Sequence, residues 1–277
     1  MLRRSLIVSS LAAVTAFAVG SAAYAAETQK SLSSESVLEA IKKRGKIKIG
    51  LSTFTPWAMR SKTGELIGFE IDVGKELAKD MKIEVEFAPT QWDGIIPALI
   101  AGNFDVIVSG MSITPQRNLS VNFTVPYANS GMGIVANKKL APNHTKIEDF
   151  NKPNYKIAVR RGATSVEDVR RFMPKAQMLQ FDDEATSKQE VVNGNAHAWV
   201  TSAPKPAFAA LENPEVMYVP VEDPFVLAAE AFAMRKGDPD ALNFFNNWIE
   251  SKHRSGWLKE RHNYWFKTQE WKSQVAG

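Results

Sequence analysis

The stretch from Trp92 to Tyr127, WDGIIPALIAGNFDVIVSGMSITPQRNLSVNFTVPY, passes from a helix through a buried strand to a glycine turn, then to a short helix carrying one arginine, Arg117. Residues 104–109 have strand length and are bounded by Gly102 and Gly110, which marks a strand inside a sheet. Its end hands over to Thr114-Pro115, so Gly110, Met111 and Ser112 stand near Arg117 at a strand's carboxyl edge. Open α/β sheets bind ligands at that edge. An arginine there can grip a carboxylate through two parallel hydrogen bonds. The pattern predicts a site for a small anion.

The amino terminus predicts export. Arg3 and Arg4 precede an apolar run over 6–20, and Ser21-Ala22-Ala23-Tyr24-Ala25 supplies a small-x-small cleavage site. This is the pattern of a signal peptide (1–25) cleaved after Ala25. The run is shorter than the roughly 20 residues a membrane span needs, and no later segment is long and apolar enough to cross. The 277 residues contain no cysteine. That excludes structural disulfides, cysteine zinc sites and a thiol nucleophile, as well as a lipoprotein anchored at a cleavage-site cysteine. A free protein in a Gram-negative periplasm is the expectation. The formal charge of +4 includes Arg3 and Arg4, so cleavage leaves about +2. The basic residues are scattered, and no nucleic-acid partner is expected. Lys42-Lys43-Arg44 suits the last turn of a helix, where cations favour the dipole. There is no phosphate loop, no GxGxxG after a strand and no ligand spacing among the four histidines, so no cofactor or metal is expected.

Strand and helix patterns alternate, which argues for an α/β fold of two compact lobes. Helices are predicted over 37–44, 72–81 and 95–101, with strands over 46–51, 83–87 and 104–109. A second set follows: strands over 155–159, 177–181 and 197–201, and helices over 166–172 and 184–192. The chain closes with a strand over 231–235 and helices over 239–251 and 257–266. Gly102-Asn103-Phe104-Asp105-Val106-Ile107-Val108-Ser109 is echoed by Gly194-Asn195-Ala196-His197-Ala198-Trp199-Val200-Thr201. Each follows a helix and opens a buried strand. The echo fits two lobes of like topology with a ligand cleft between them, or a chance likeness of two helix–glycine–strand junctions.

Gly68-Phe69-Glu70-Ile71-Asp72-Val73, followed by Leu77-Ala78 and Met81, resembles the signature of family 3 of the bacterial extracellular solute-binding proteins, mostly amino-acid receptors of ABC importers. Trp92 to Leu99, Thr114-Pro115-Gln116-Arg117 with Phe123 and Pro126-Tyr127, and Arg235-Lys236-Gly237-Asp238 are similar to it as well. The resemblance implies an α/β, two-lobe periplasmic binding protein fold of type II, its lobes joined by two crossing strands that close around ligand. Lobe 1 would comprise 32–128 and 230–277 and lobe 2 129–229, with crossings near 127–131 and 227–231. It also implies a monomer that delivers its ligand to an inner-membrane ABC permease.

On that resemblance Arg117 is the arginine that holds the ligand carboxylate, and Phe54 and Trp92 are the aromatic rings that stack on the ligand. Gly110, Met111 and Ser112 would offer backbone groups and a hydroxyl. Trp57 is open between pocket wall and core. Thr164-Ser165-Val166-Glu167 fits a capping box, and the same helix start suits an anion; family members use this turn to complete carboxylate binding. Arg160 matches a variable position near the ligand side chain, while Arg161 should face solvent. The chain departs from the family at Ser202, where amino-acid receptors usually carry an aspartate for the ligand's α-ammonium. A neutral serine cannot balance a buried cation. Either another acid replaces it, Glu230 on the second crossing being the nearest by chain logic, or the ligand is not a standard α-amino acid. Glu230 reads equally as a hinge salt bridge.

The leading functional expectation is capture, without chemistry, of a small carboxylate solute, an amino acid or a relative. The alternative is an enzyme: Asp223-Pro224-Phe225 followed by Glu230 also resembles cyclohexadienyl dehydratases, which share this fold. Against it, no acid/base pair stands out, and His197 reads as a half-buried strand residue. A third reading is a sensor acting in trans on a membrane kinase.

Overall fold

The structure, a computed structural model, describes residues 36–275; the signal-peptide expectation and residues 32–35 lie outside that range. The described residues open on helix α1 (Val37–Arg44), capped by Ser36 and stopped at Gly45. Strand β1 (Lys46–Leu51) follows, then a small hairpin of β2 (Met59–Arg60) and β3 (Leu66–Ile67), helix α2 (Phe69–Met81) and β4 (Glu84–Pro89). A 3₁₀ turn at Trp92–Gly94 leads into α3 (Ile95–Ile100), β5 (Val106–Ile107) and α4 (Pro115–Asn118). The long strand β6 (Asn122–Asn137) then leaves this half of the molecule.

The other half holds β7 (Lys156–Arg160), α5 (Ser165–Phe172), β8 (Gln177–Phe181), α6 (Glu184–Val192), β9 (Ala198–Ser202), α7 (Lys205–Glu212) and β10 (Met217–Tyr218). Strand β11 (Val226–Met234) returns, and α8 (Pro239–Arg254) and α9 (Trp257–Lys267) pack back on the first half. Among the described residues no helix is long and apolar enough to cross a membrane.

The main sheet runs β4-β1-β5-β11-β6-β9-β7-β8, with β10 also on β6. On one side β1 lies parallel to β4 and β5, and β5 is antiparallel to β11. On the other, β7 lies parallel to β8 and β9, and β9 is antiparallel to β6. The two halves therefore repeat one topology, and the echoed sequences occupy the equivalent strands β5 and β9. The ladder at β5 is shorter than 104–109, yet all six residues are buried and Asp105 and Val108 still donate to β1.

Two strands join the halves. β6 and β11 pair antiparallel through Gly131↔Leu227 and Ala128↔Glu230, within the two expected crossings. β11 extends five residues earlier than periodicity suggests because its first half belongs to this crossing. The register shifts where Ala231 faces Pro126. Proline has no N–H for a ladder, and a bulge absorbs it.

Separate apolar cores fill the halves. One gathers Phe69, Tyr127, Phe232, Phe245 and Trp265 under α2, α8 and α9; the other gathers Ile134, Phe150, Ile157, Val169 and Val200. His262 stacks flat on Phe266 at 4.1 Å and meets Phe69 edge-on at 5.6 Å. Burial, with Lys267 nearby, pulls its pKa down to about 4. Unfolded, histidine titrates near 6.5, so the unfolded chain binds the extra proton first as pH falls. His262 therefore contributes stability above pH 6.5 that is lost as pH drops toward 4, about 2–3 kcal/mol after allowance for partial exposure. Urea midpoints at pH 7 and pH 4.5 test this: His262→Phe should remove most of the difference, and an unchanged difference would rule it out.

Candidate functional site

Gly110 follows the end of the β5 segment at φ +52°, and a Cβ there would lie 2.8 Å from the Trp57 indole nitrogen. Only glycine turns the chain this closely over Trp57. The turn delivers α4, whose cap is the one expected: Thr114 accepts from the Arg117 N–H at 3.1 Å, with Pro115 at the first position. One short turn of helix thereby aims Arg117 across the gap between the halves. Its guanidinium donates to Ser112 O at 2.9 Å on its own side and to Gly162 O at 3.2 Å on the other.

A small cavity of about 20 Å³ lies between the halves. From the first half Phe54, Trp92, Gly110, Ser112 and Arg117 line it; from the second, Arg160, Thr164, Ser165 and Ser202. Met132 and Thr201 complete its wall beside Ala163 and Glu184. Arg117 is flanked by the Trp92 ring at 5.4 Å, and burial beside Arg160 lowers its pKa to about 10. The halves are latched across the cleft. Gly162 O accepts from Trp92 Nε1 at 3.0 Å as well as from Arg117, and Arg160 Nη1 reaches Ser52 Oγ at 3.4 Å.

Two expected binding residues stand behind this wall. Met111 is buried in the core beside Ile107 and Phe104, and its carbonyl accepts the Ala231 N–H at 3.1 Å. Strand-like alternation sends its side chain inward while Gly110 and Ser112 face the cleft. Glu230 is buried on β11, where it accepts from the Trp57 indole at 3.1 Å and from Ser130 at 2.5 Å. Its partners are neutral donors, not the salt bridge considered from sequence. Burial pushes its carboxyl upward against those bonds. Trp57, open between wall and core, is fully buried.

The capping box over 164–167 does not form. Thr164 already has helical dihedrals, φ −63° and ψ −24°, and its side chain makes no cap bond. An N-cap needs an extended residue to turn its oxygen back on the helix. The Thr164 side chain is instead part of the cavity wall. Arg161 faces outward and pairs with Asp182 at 2.9 Å.

Sequence reasoning missed Glu184 and Lys205. Glu184 opens α6 and lines the cavity; its carboxylate lies 3.3 Å from Arg160 Nε and 3.0 Å from Lys205 Nζ, and accepts from Thr201 at 2.8 Å. Burial works against its charge, but Lys205 and Arg160 hold its pKa below the usual value. Lys205, at the start of α7, is itself buried, which lowers its pKa to about 8. The acidic run Asp182-Asp183-Glu184 after β8 was the available signal for the first of these. Lys205 had no local signal.

Two similar halves, two crossing strands and a cleft latched between them are the architecture of a two-lobe binding protein. The chain belongs to family 3 of the bacterial extracellular solute-binding proteins, whose model matches residues 47–268. It is 27% identical over 245 residues to the L-cystine-binding protein TcyJ of Escherichia coli, covering 86% of this chain and 88% of that one. Among solved structures it is similar to the ancestral amino acid-binding protein AncCDT-1, a precursor of cyclohexadienyl dehydratase. The identity there is 40% and the TM-score 0.76, over 83% of this chain and 99% of that one. An ancestral arginine-binding protein bound to arginine matches at 31% identity and TM-score 0.74, over 80% and 98% of the two chains.

Proposed function

We propose that this protein is the periplasmic solute-binding component of an ABC importer and captures a small carboxylate-bearing solute, an amino acid or derivative, between lobe 1 (32–128 and 230–277) and lobe 2 (129–229). Arg117 carries the reading. It is a cation at a strand's carboxyl edge, it points into an interlobe cavity, and among the described residues it has no carboxylate partner within ion-pair reach. Gly110, Ser112, Thr164 and Ser165 supply polar groups around the same carboxylate, Phe54 and Trp92 cover the solute, and Arg160 and Ser202 face its far end. Met111 and Glu230 support that wall from behind. The monomer hands its ligand to an inner-membrane permease without altering it.

Solute that touches both lobes only in the closed state favours closure. A thermal-shift screen of amino acids, amines and small carboxylates tests the capture, since binding raises the melting temperature by mass action. A carboxylate should give the largest rise; a plain amine in that place would refute the role of Arg117. The Trp92 indole contributes to the latch on Gly162. Trp92→Phe keeps a ring but removes that bond, worth about 1 kcal/mol, so affinity for the best ligand should fall roughly fivefold by calorimetric titration. Unchanged affinity would remove Trp92 Nε1 from the latch.

An enzyme of the cyclohexadienyl dehydratase kind is the second reading, supported by 25% identity over 232 residues to the cyclohexadienyl dehydratase of Pseudomonas aeruginosa and by the buried carboxyl of Glu230. Its test is product absorbance on adding prephenate or arogenate.

A further inference from the structure

The charges around the cleft are unequal. Arg117, Arg160 and Lys205 are gathered there, and one carboxylate, Glu184, is shared between the last two. Arg160 Nε and Lys205 Nζ are buried without completing a hydrogen bond. Three further acids of this region are committed elsewhere. Asp183 caps its own helix through Thr186, Glu70 accepts from Tyr127, and Glu230 accepts from Trp57 and Ser130. Burial raises the carboxyls of both Glu70 and Glu230, which favours their neutral forms.

The aromatic faces are taken as well. Aromatic rings in a binding cleft can cover a ligand's cation. Here the Arg160 guanidinium lies 4.4 Å from the Trp92 ring centre and 5.0 Å from that of Phe54, and Lys205 Nζ lies 4.7 Å from Phe54. The protein's own cations occupy the faces that a ligand ammonium or guanidinium would use. With Ser202 neutral and the charge of Glu184 already shared by two cations, a cationic side chain would meet like charge and no spare carboxylate. An anionic group facing Arg160 would instead relieve the crowding of positive charge.

We infer that the cleft selects a solute with two anionic groups, a dicarboxylate, held at one end by Arg117 and at the other by Arg160 with Lys205 behind it, and that it turns away cationic amino acids. This rests on the reading of the cleft as a carboxylate trap. The α-ammonium is dispensable.

The test is calorimetric titration of the protein, unfolded and refolded by dialysis to strip bound solute, with glutarate, 2-oxoglutarate, glutamate, alanine, arginine and lysine. One of the first three should bind tightest, at least tenfold above arginine and lysine. Arg160→Gln also loosens the Ser52 latch for every ligand, so the readout is the difference: the best dicarboxylate should lose at least tenfold more affinity than alanine. Ser202→Asp should shift preference from glutarate toward glutamate. Tightest binding by arginine, lysine or alanine would overturn the dicarboxylate inference while leaving carboxylate capture standing. Equal losses for both ligand types in Arg160→Gln would also overturn it. Failure of every carboxylate to bind would overturn the capture reading itself.

Discussion

Arg117→Ala is expected to weaken binding of the preferred carboxylate by a few hundredfold while leaving the ligand-free protein as stable as before or slightly more so. Removing one partner of a buried, hydrogen-bonded ion pair costs about 3–4 kcal/mol, and every 1.4 kcal/mol is about tenfold in affinity. The same side chain contributes its Gly162 bond to the closed state, so the variant should also close less completely. Without ligand the balance reverses. Arg117 is buried around the same Trp92 ring as Arg160, and burial, with Arg160 nearby, lowers its pKa; deleting it removes a buried charge and the repulsion between like charges. Loss of affinity without loss of stability separates a binding residue from a structural one. Arg117→Lys should recover only part of the affinity, because an ammonium cannot make the two parallel bonds. Calorimetric titration paired with thermal melts reads both effects.

Gly68→Ala should produce the largest loss of stability, about 3–5 kcal/mol from strained backbone and steric overlap together. Gly68 has φ +135°, and a Cβ there would sit 2.2 Å from Trp57 O and 2.9 Å from Ala58 Cα. Both neighbours are backbone, which cannot rotate away. The close approach lets the first N–H groups of α2 find acceptors, Phe69 on Pro56 O at 3.2 Å and Glu70 on Trp57 O at 3.0 Å. That loop also carries Phe54, stacked on Trp57 at 4.8 Å, so the damage extends to the cleft wall. The urea midpoint is the readout. A change below about 1 kcal/mol would mean that the loop yields.

The parts of the site that could be read in advance are those written locally. Thr114-Pro115 caps and starts α4 through bonds within four residues, so Arg117 could be placed on a helix start from sequence. Gly110 could be read as a turn glycine after a strand and Gly68 as part of the family signature, although the approach to Trp57 that demands glycine at both is tertiary. The family signature supplied the two lobes and their crossings. Where tertiary contacts decide, the reading ran out. Thr164 looked like a cap, but the turn from Arg160 brings it in already helical. Met111 and Glu230 were placed at the cleft by proximity in the chain, yet side-chain alternation and the bulged crossing turn them to the core side. Glu184 and Lys205 meet Arg160 only because the starts of α6 and α7 converge on the end of β7, and no pattern in one sequence encodes that meeting.

The most direct measurement is a calorimetric titration of ligand-stripped protein with its best carboxylate and with the matching primary amide. An arginine that grips a carboxylate must lose the amide, which offers one acceptor and no charge. Affinity for the amide should fall by at least a hundredfold, and the difference should vanish in Arg117→Ala. Equal binding of acid and amide by the unaltered protein would contradict a carboxylate anchored at Arg117.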